Sequence, residues 1–245
     1  MDTITKNNFR MQVEIWSDVI CPFCYIGKRR FEKALEKFQY KNNIDVVWKS
    51  FQLDPFAVTD PKFNIIEHLA RKKGWSADQA SDSIEYITNM AKEVGLDYHF
   101  EKAIVANSFN AHRLSHLAKK YGKQNELEEK LFAAYFTEGK NTDDFETLRQ
   151  IGISVGMDEK EVTVVLKTDV YTDEVKHDIA HARHIDVRGV PFILIDGKYA
   201  VSGAQNEEIF LQTLIKAYDE HKGVDLIEIP STETAGICGP DGCEI

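Results

Sequence analysis

Residues 16–27 run Trp-Ser-Asp-Val-Ile-Cys-Pro-Phe-Cys-Tyr-Ile-Gly, and the fold follows from what stands on either side of them. Before them, Met11, Val13 and Ile15 alternate with Gln12, Glu14 and Trp16, the period of a strand. After them, Ile26, Phe31, Ala34, Leu35 and Phe38 recur at helical spacing until Asn42-Asn43. Pro22 fits the first turn of that helix, where its missing N–H costs nothing. Ile44, Val46 and Trp48 then alternate with polar or smaller neighbours and predict a second strand up to about Leu53. Strand, helix and strand in so short a stretch form a βαβ unit. A Cys-x-x-Cys pair therefore sits where the first strand passes into the helix.

That position has a chemical meaning. Unpaired N–H groups and the macrodipole at a helix N-terminus favour an anion, here a thiolate at Cys21. The thiolate is the species that attacks a disulfide. Cys24, one turn on, can attack the resulting mixed disulfide and release the product. Pro22 and Phe23 bring neither charge nor a side-chain donor, so the helix end carries the stabilisation. Lys28, Arg29 and Arg30 read as a solvated helix face. The competing reading makes Cys21 and Cys24 half of a zinc or iron–sulfur site completed by Cys238 and Cys243. The four-residue spacing of the second pair and the strand and helix flanking the first argue for no metal.

From Pro61 to about Ile185 the pattern holds no convincing strand and a series of amphipathic segments. Ser76 with Gln79 forms a capping box ahead of Ala80, Ile84, Ile87, Ala91 and Val94. Further helices are expected around Phe109–Tyr121, around Leu127–Tyr135, after Asp158, and from about Thr172. Pro191-Phe-Ile-Leu-Ile195 is a continuous apolar run, as in a central strand covered on both faces. Asp196-Gly197 is a hairpin turn leading to an antiparallel partner over residues 198–202. Asn206 caps a last helix carrying Leu211, Leu214, Ile215 and Tyr218 on one face. The glycines and acids after Lys222 predict a mobile tail.

Composition narrows the setting. The chain has 245 residues, is 43% hydrophobic, and carries 30 Lys and Arg against 40 Asp and Glu, a formal charge of −10. A net-acidic surface argues against nucleic acid as a partner, because phosphate binding needs clustered cations. No apolar run approaches the ~20 residues that span a bilayer, and residues 1–12 have neither the apolar stretch nor the cleavage site of a secretory signal. The expected setting is the cytoplasm, without a membrane partner, as a monomer or homodimer. Four cysteines in two close pairs then point to redox chemistry or metal before structural bridges.

Together, WSDVICPFCYIG (16–27), FQLDP (51–55), NSFNAHRLSHLA (107–118) and RGVPFILIDGKYAVSGAQ (188–205) resemble the DsbA family, in its cytoplasmic FrnE-like branch. The resemblance implies an α/β protein: a thioredoxin fold with a large all-helical insertion. The thioredoxin-like domain would comprise residues 11–58 and 172–221, the insertion 59–171, and the tail with the second cysteine pair 222–245. It also implies roles. Cys21 attacks, Cys24 resolves, and Pro191 is a cis-proline whose neighbour Val190 offers its backbone to an extended substrate beside Cys21. Glu14 is the nearest match to the buried acid that helps deprotonate the resolving cysteine in many relatives. Phe23 stands where the family often has a histidine that raises oxidising power. Asn107 and His112 fall in a segment that faces the active site in this branch, and join Pro22, Phe23 and Val190 as substrate-binding candidates. The alternative for Asn107 or Ser108 is a helix cap, and for His112 a hydrogen-bonded helix-surface position. Trp16 is expected in the core.

Cys238-Gly-Pro-Asp-Gly-Cys243 is a tight reversal holding two thiols. Tethered to the same chain, the pair would reach an effective concentration on the order of millimolar near Cys21 and exchange electrons with it. The function expected is thiol–disulfide oxidoreduction on protein disulfides, with no cofactor beyond the protein's own redox-active disulfide and with glutathione as a co-substrate. One competitor is a glutathione-dependent transferase or isomerase of the kappa-class or 2-hydroxychromene-2-carboxylate isomerase type. Those enzymes typically carry serine where Cys21 stands and lack the second thiol. A non-enzymatic chaperone or metal-binding module is the other.

Overall fold

The computed structural model describes residues 10–222, 237–239 and 242–244, with side chains except at 61–64, at 222 and in the last two stretches. In chain order, β1 (Met11–Ser17) leads into α1 (Pro22–Lys37) and β2 (Ile44–Ser50). Then come β3 (Asp60–Asn64), α2 (Ile65–Lys73), α3 (Ala77–Glu93), β4 (Ile104–Val105), α4 (Phe109–Lys120) and α5 (Gln124–Phe136). α6 (Phe145–Ser154), α7 (Glu159–Lys167) and α8 (Thr172–His184) follow, then β5 (Phe192–Ile195), β6 (Tyr199–Ser202) and α9 (Glu207–Lys222). A short ribbon pairs β7 (Ile237–Gly239) with β8 (Gly242–Glu244).

The main sheet has the order β2-β1-β5-β6. β1 runs parallel to β2, with Met11 opposite Ile44 and Ser17 opposite Ser50, and antiparallel to β5, with Val13 opposite Ile195. Val13 and Ile15 pack into the cluster that holds Ile26 and Phe31 of α1 and Phe210 and Leu214 of α9. Trp16 packs the other way, with Ala182 of α8 and Val187. Covered on both faces, β1 ends in an unbroken buried run, as a central strand does. The Asp196-Gly197 turn has positive φ at both residues, 56° and 63°, the conformation that suits a two-residue hairpin.

Local chemistry starts the helices as expected. Ser76 Oγ accepts the Gln79 N–H at 3.2 Å while Gln79 Oε1 accepts the Ser76 N–H at 2.9 Å, completing the capping box of α3. Asp158 Oδ1 takes the N–H groups of Lys160 and Glu161, and Asn206 Oδ1 takes that of Ile209 at 3.0 Å. The sequence expectation departs from the structure in three places. β2 stops at Ser50, before Leu53. The insertion is not wholly helical: β3 and β4 pair as a two-stranded ribbon, too short for a period to show. The expected mobile tail falls mostly at residues 223–236, outside the described residues.

The third departure concerns Lys28, Arg29 and Arg30, which are not a solvated face. The Lys28 side chain is 2% exposed and bonds Glu32 and Glu129 at 2.5 and 2.9 Å. Arg29 grips the same Glu129 through both terminal nitrogens, and Tyr25 donates to it at 2.5 Å. Arg30 donates to the Ala204 carbonyl at 2.7 Å. Glu129 thus bolts α5 of the insertion onto α1, beside the stacked rings of Tyr25 and Phe132, 5.0 Å apart. Burial alone would raise the Glu129 carboxyl, but the hydrogen bonds from Arg29 and Tyr25 and the charge of Lys28 hold it at about 2. Its folded-state value lies below the unfolded one of ~4.3, so its contribution is present above that pH and lost as pH falls towards 2. Glu129→Gln is expected to lower stability at pH 7 by about 1–3 kcal/mol. In urea melts from pH 7 to 2, the gap to the unsubstituted protein should close below pH 4.

Candidate redox site

Cys21 occupies the N-cap of α1 with Pro22 behind it at the first helical position. Its N–H donates to the Asp18 carbonyl at 2.9 Å, and the Cys24 N–H donates to the Cys21 carbonyl at 3.0 Å. Tyr98, from the insertion, donates its hydroxyl to the Pro22 carbonyl at 2.7 Å. Burial, then the nearby cysteines, pushes the Tyr98 hydroxyl up, so it remains a donor. Both cysteines are free thiols, 3% and 1% exposed. The arrangement is an anion-stabilising helix end carrying one thiol at its tip and the other a turn inside.

The two thiols have different surroundings. Burial and the adjacent Cys21 sulfur push the Cys24 thiol well up, while the Ser17 hydroxyl and the Asp18 N–H act in the opposite direction. Cys21 Sγ stands 3.5 Å from the Val190 carbonyl oxygen. The Val190–Pro191 peptide bond is cis, and Gly203 N–H donates to the Pro191 carbonyl at 2.8 Å. Pro191 lies so close to α1 that a Cβ on Gly27 would come within 2.9 Å of Pro191 Cγ and 3.6 Å of Ala204 Cβ. Cys21, Cys24, Val190 and Pro191 therefore come together. Pro22 joins them on the rim, and Phe23 packs half-buried against the core.

The other expected residues lie elsewhere. Asn107 is spent on internal contacts: its Oδ1 accepts from Phe109 N–H and Gln52 Nε2, and its Nδ2 donates to the Ala57 carbonyl at 3.1 Å. It ties the 52–59 loop to α4 and stands as a helix-start residue rather than a substrate contact. His112 is 3% exposed and faces Asp18, so it too is internal. Glu14 shares its face of β1 with Trp16 and pairs with Lys49 at 3.4 Å. Trp16 is core, with its Nε1 donating to the Asp178 carbonyl at 3.1 Å. Cys238 and Cys243 stand opposite one another in the β7–β8 register, and their side chains lie outside the described residues.

Sequence reasoning passed over Asp18, Ser17, Gly27 and Tyr98. An acid directly before the apolar stretch Val-Ile-Cys was the available signal for Asp18, and it reads equally well as a turn residue. Beside the thiols lies a cleft of about 210 Å³ lined by Ile20, Pro22, Leu53, Leu69 and Tyr135, with Lys72 at its edge. Phe56 and Val58, on the same 53–59 loop, are 89% and 81% exposed. Among the described residues no group of three His, Cys, Asp or Glu is placed to hold a metal, and no helix is long and apolar enough to cross a membrane.

Fold and thiol placement define a thioredoxin-fold protein with a helical insertion. The DSBA-like thioredoxin domain family matches residues 12–215, and the chain belongs to that family. A probable DsbA oxidoreductase from Streptomyces coelicolor superposes with a TM-score of 0.84 at 37% identity, over 96% of this chain and 99% of its own. A Bacillus subtilis (strain 168) protein of uncharacterised function, YwbO, is 27% identical over 203 residues, 82% of this chain and 94% of its own. A 2-hydroxychromene-2-carboxylate isomerase shares the fold, with a TM-score of 0.63 at 15% identity over 88% of this chain and 100% of its own.

A methyl group at Gly27 has no flexible partner to displace, because the obstacle is a proline ring. Gly27→Ala is expected to lower stability by about 1–3 kcal/mol, the usual cost of overpacking. It should also slow alkylation-competent exchange at Cys21, because the Val190–Pro191 segment moves off the thiol. Thermal melting together with the rate of reaction with an aromatic disulfide checks both; unchanged values in each would show that the contact relaxes freely.

Proposed function

We propose that the protein is a thiol–disulfide oxidoreductase acting on disulfides of polypeptides. One observation carries the reading: two free thiols at the N-terminus of α1, the outer one 3.5 Å from the Val190 carbonyl. The Cys21 thiolate attacks one sulfur of a substrate disulfide, forming a Cys21–substrate disulfide and releasing the other substrate sulfur as a thiolate, which takes up a proton. Cys24 loses its proton and attacks the Cys21 sulfur, closing Cys21–Cys24 and releasing the second substrate thiol. The substrate gains two electrons and two protons, and the protein dithiol loses them. Glutathione, a cytoplasmic thiol, would return the pair to its reduced form; a substrate dithiol would drive the same steps in reverse. An extended substrate would lay its backbone along Val190, and the apolar cleft by Pro22 would take one of its side chains. We place the protein in the cytoplasm.

Cys238 and Cys243 fit this cycle as an auxiliary couple. Their main chains face one another across a ribbon, the arrangement from which a disulfide closes. Residues 223–237, fully extended, reach about 50 Å, more than twice the ~23 Å length of a seven-residue strand. A segment of that contour length would be long enough to bring the pair to Cys21. The presence of both Cys21 and Cys24 argues against the isomerase reading, whose support is likeness of fold alone.

Reduction of insulin with glutathione as the electron source tests the reading. The unsubstituted protein should turn over, Cys21→Ser should be inactive, and Cys24→Ser should accumulate a covalent adduct through Cys21. Replacing Cys238 and Cys243 by Ser should leave the first turnover intact and slow later ones. No turnover and no adduct would refute the exchange reading, and client binding that survives loss of both Cys21 and Cys24 would support a chaperone instead.

A further inference from the structure

The Tyr98 hydroxyl, from the insertion, is bonded to the main chain between the two cysteines, donating to the Pro22 carbonyl at 2.7 Å. Tyr98 is buried, and its ring stacks on Phe136 of α5 at 4.7 Å and on Tyr25 of α1 at 6.2 Å, with Phe100 edge-on at 5.6 Å. These rings leave the hydroxyl little freedom to move, and a buried hydroxyl deprived of its acceptor is costly. The stretch that carries Tyr98, residues 94–103, runs from α3 to β4 without helix or strand. Its main chain is fixed instead by turns and by α5. His99 N–H donates to the Phe136 carbonyl at 2.7 Å, Lys102 N–H to the His99 carbonyl at 2.9 Å, and Ala103 N–H to the Phe100 carbonyl at 3.2 Å. Gly139, after α5, lies against the same stretch. Its φ is 66°, and a Cβ there would come within 2.8 Å of the Lys102 carbonyl oxygen, so only glycine allows this approach.

The Pro22 carbonyl and the Phe23 N–H are the two ends of one planar peptide, so fixing one fixes the other. Phe23 is the second residue of α1. Its N–H has no acceptor inside the helix and is one of the two donors that close on the side chain of an N-cap residue. The other is the Cys24 N–H, which is committed to the Cys21 carbonyl at 3.0 Å. As a thiol, the N-cap Cys21 makes no capping bond and lies 3.5 Å from the Val190 carbonyl oxygen. A thiolate cannot donate to that oxygen and needs a donor of its own, and the Phe23 N–H is the one left. A hydrogen bond accepted by a carbonyl polarises its peptide and strengthens the N–H at the other end. We propose that Tyr98, held in place by the close approach of Gly139, is a positioning residue for the attacking thiol: it fixes and polarises the Pro22–Phe23 peptide so that the Phe23 N–H serves the Cys21 thiolate. The inference rests on the exchange chemistry proposed above and gives the insertion a hold on the redox balance of the cysteine pair.

That balance is read against glutathione. The protein is equilibrated with mixtures of reduced and oxidised glutathione at one alkaline pH, where thiolates are populated, then trapped by alkylation and analysed peptide by peptide for the Cys21–Cys24 dithiol and disulfide. One oxidised glutathione takes two electrons and two protons from the dithiol and leaves as two reduced molecules. Tyr98→Phe removes the hydroxyl and keeps the ring. It takes a donor from the thiolate, which exists only on the dithiol side, so the equilibrium should move about two- to tenfold towards the disulfide, the worth of one net hydrogen bond. Gly139→Ala, checked for folding by near-ultraviolet circular dichroism, should move it in the same direction and add nothing in the Tyr98→Phe background. Tyr98→Phe decides alone where the Gly139 variant does not fold. A packing role would leave Tyr98→Phe at the unsubstituted equilibrium and show only in Tyr98→Leu. An equilibrium that Tyr98→Phe leaves unchanged or moves towards the dithiol, or shifts that add in the double variant, overturns the proposal. An unsubstituted protein that forms no Cys21–Cys24 disulfide in any mixture removes the exchange reading itself, and the role of Tyr98 with it.

Discussion

The thiol end of the molecule depends on how closely α1 lies against the Val190–Pro191 segment. A glycine inside a helix costs about 1 kcal/mol relative to alanine, and α1 carries one at Gly27 in its second turn. What the missing methyl allows is contact between the helix backbone and the Pro191 ring. That contact fixes the tip of α1 relative to β5, the strand that Pro191 leads into. With the tip fixed, Cys21 meets the Val190 carbonyl and has its main-chain groups committed to Asp18 and Cys24. The reactive geometry is thus a consequence of close packing several residues away from either sulfur.

The insertion completes that geometry with charge as much as with apolar contact. α4 brings two histidines one turn apart, His112 to Asp18 and His116 to Asp178, where His116 Nε2 stands 3.2 Å from the carboxylate. Asp178 also takes Lys49 at 3.0 Å and the Ser50 N–H at 3.1 Å, joining α8 to β2. α5 adds the Glu129 cluster on α1. Each of these ionisable groups would be expensive alone in the interior and is tolerable only with its partner in place. They link the insertion to β2, to α1 and to the loop before Cys21, so the insertion forms one side of the site rather than an appendage to it.

The β1–α1–β2 unit, the Asp196-Gly197 hairpin and the capped helices were legible because each is encoded locally: a period of two, a period of about four, or a turn residue demanded by its φ. β3 and β4 were not, since a two-residue strand such as β4 has no period. α2 and α6 also escaped as separate elements between stronger patterns. The cysteine pair follows from the strand-to-helix junction, whereas the placement of Pro191 against Gly27 is a contact across 164 positions that no local pattern encodes. Lys28 and Arg29 mislead for the same reason. On a helix wheel they are surface cations, and only the arrival of Glu129 from α5 makes them interior ones. Asp18 is hidden by ambiguity instead, because an acid before a helix is ordinary loop chemistry until His112 is seen opposite it.

In the exchange proposed above, the unequal surroundings of the two thiols would give the steps an order in time. Burial favours the protonated form of Cys24, whereas Cys21 caps the helix end beside the Val190 carbonyl, next to the residue, Pro22, that lines the cleft. Were Cys21 joined to a substrate as proposed, the neighbouring sulfur would no longer hold a proton or charge that opposes ionisation of Cys24. On that reading the first covalent step would lower the cost of the second, and the buried thiol of Cys24 would become reactive only when there is an adduct for it to resolve.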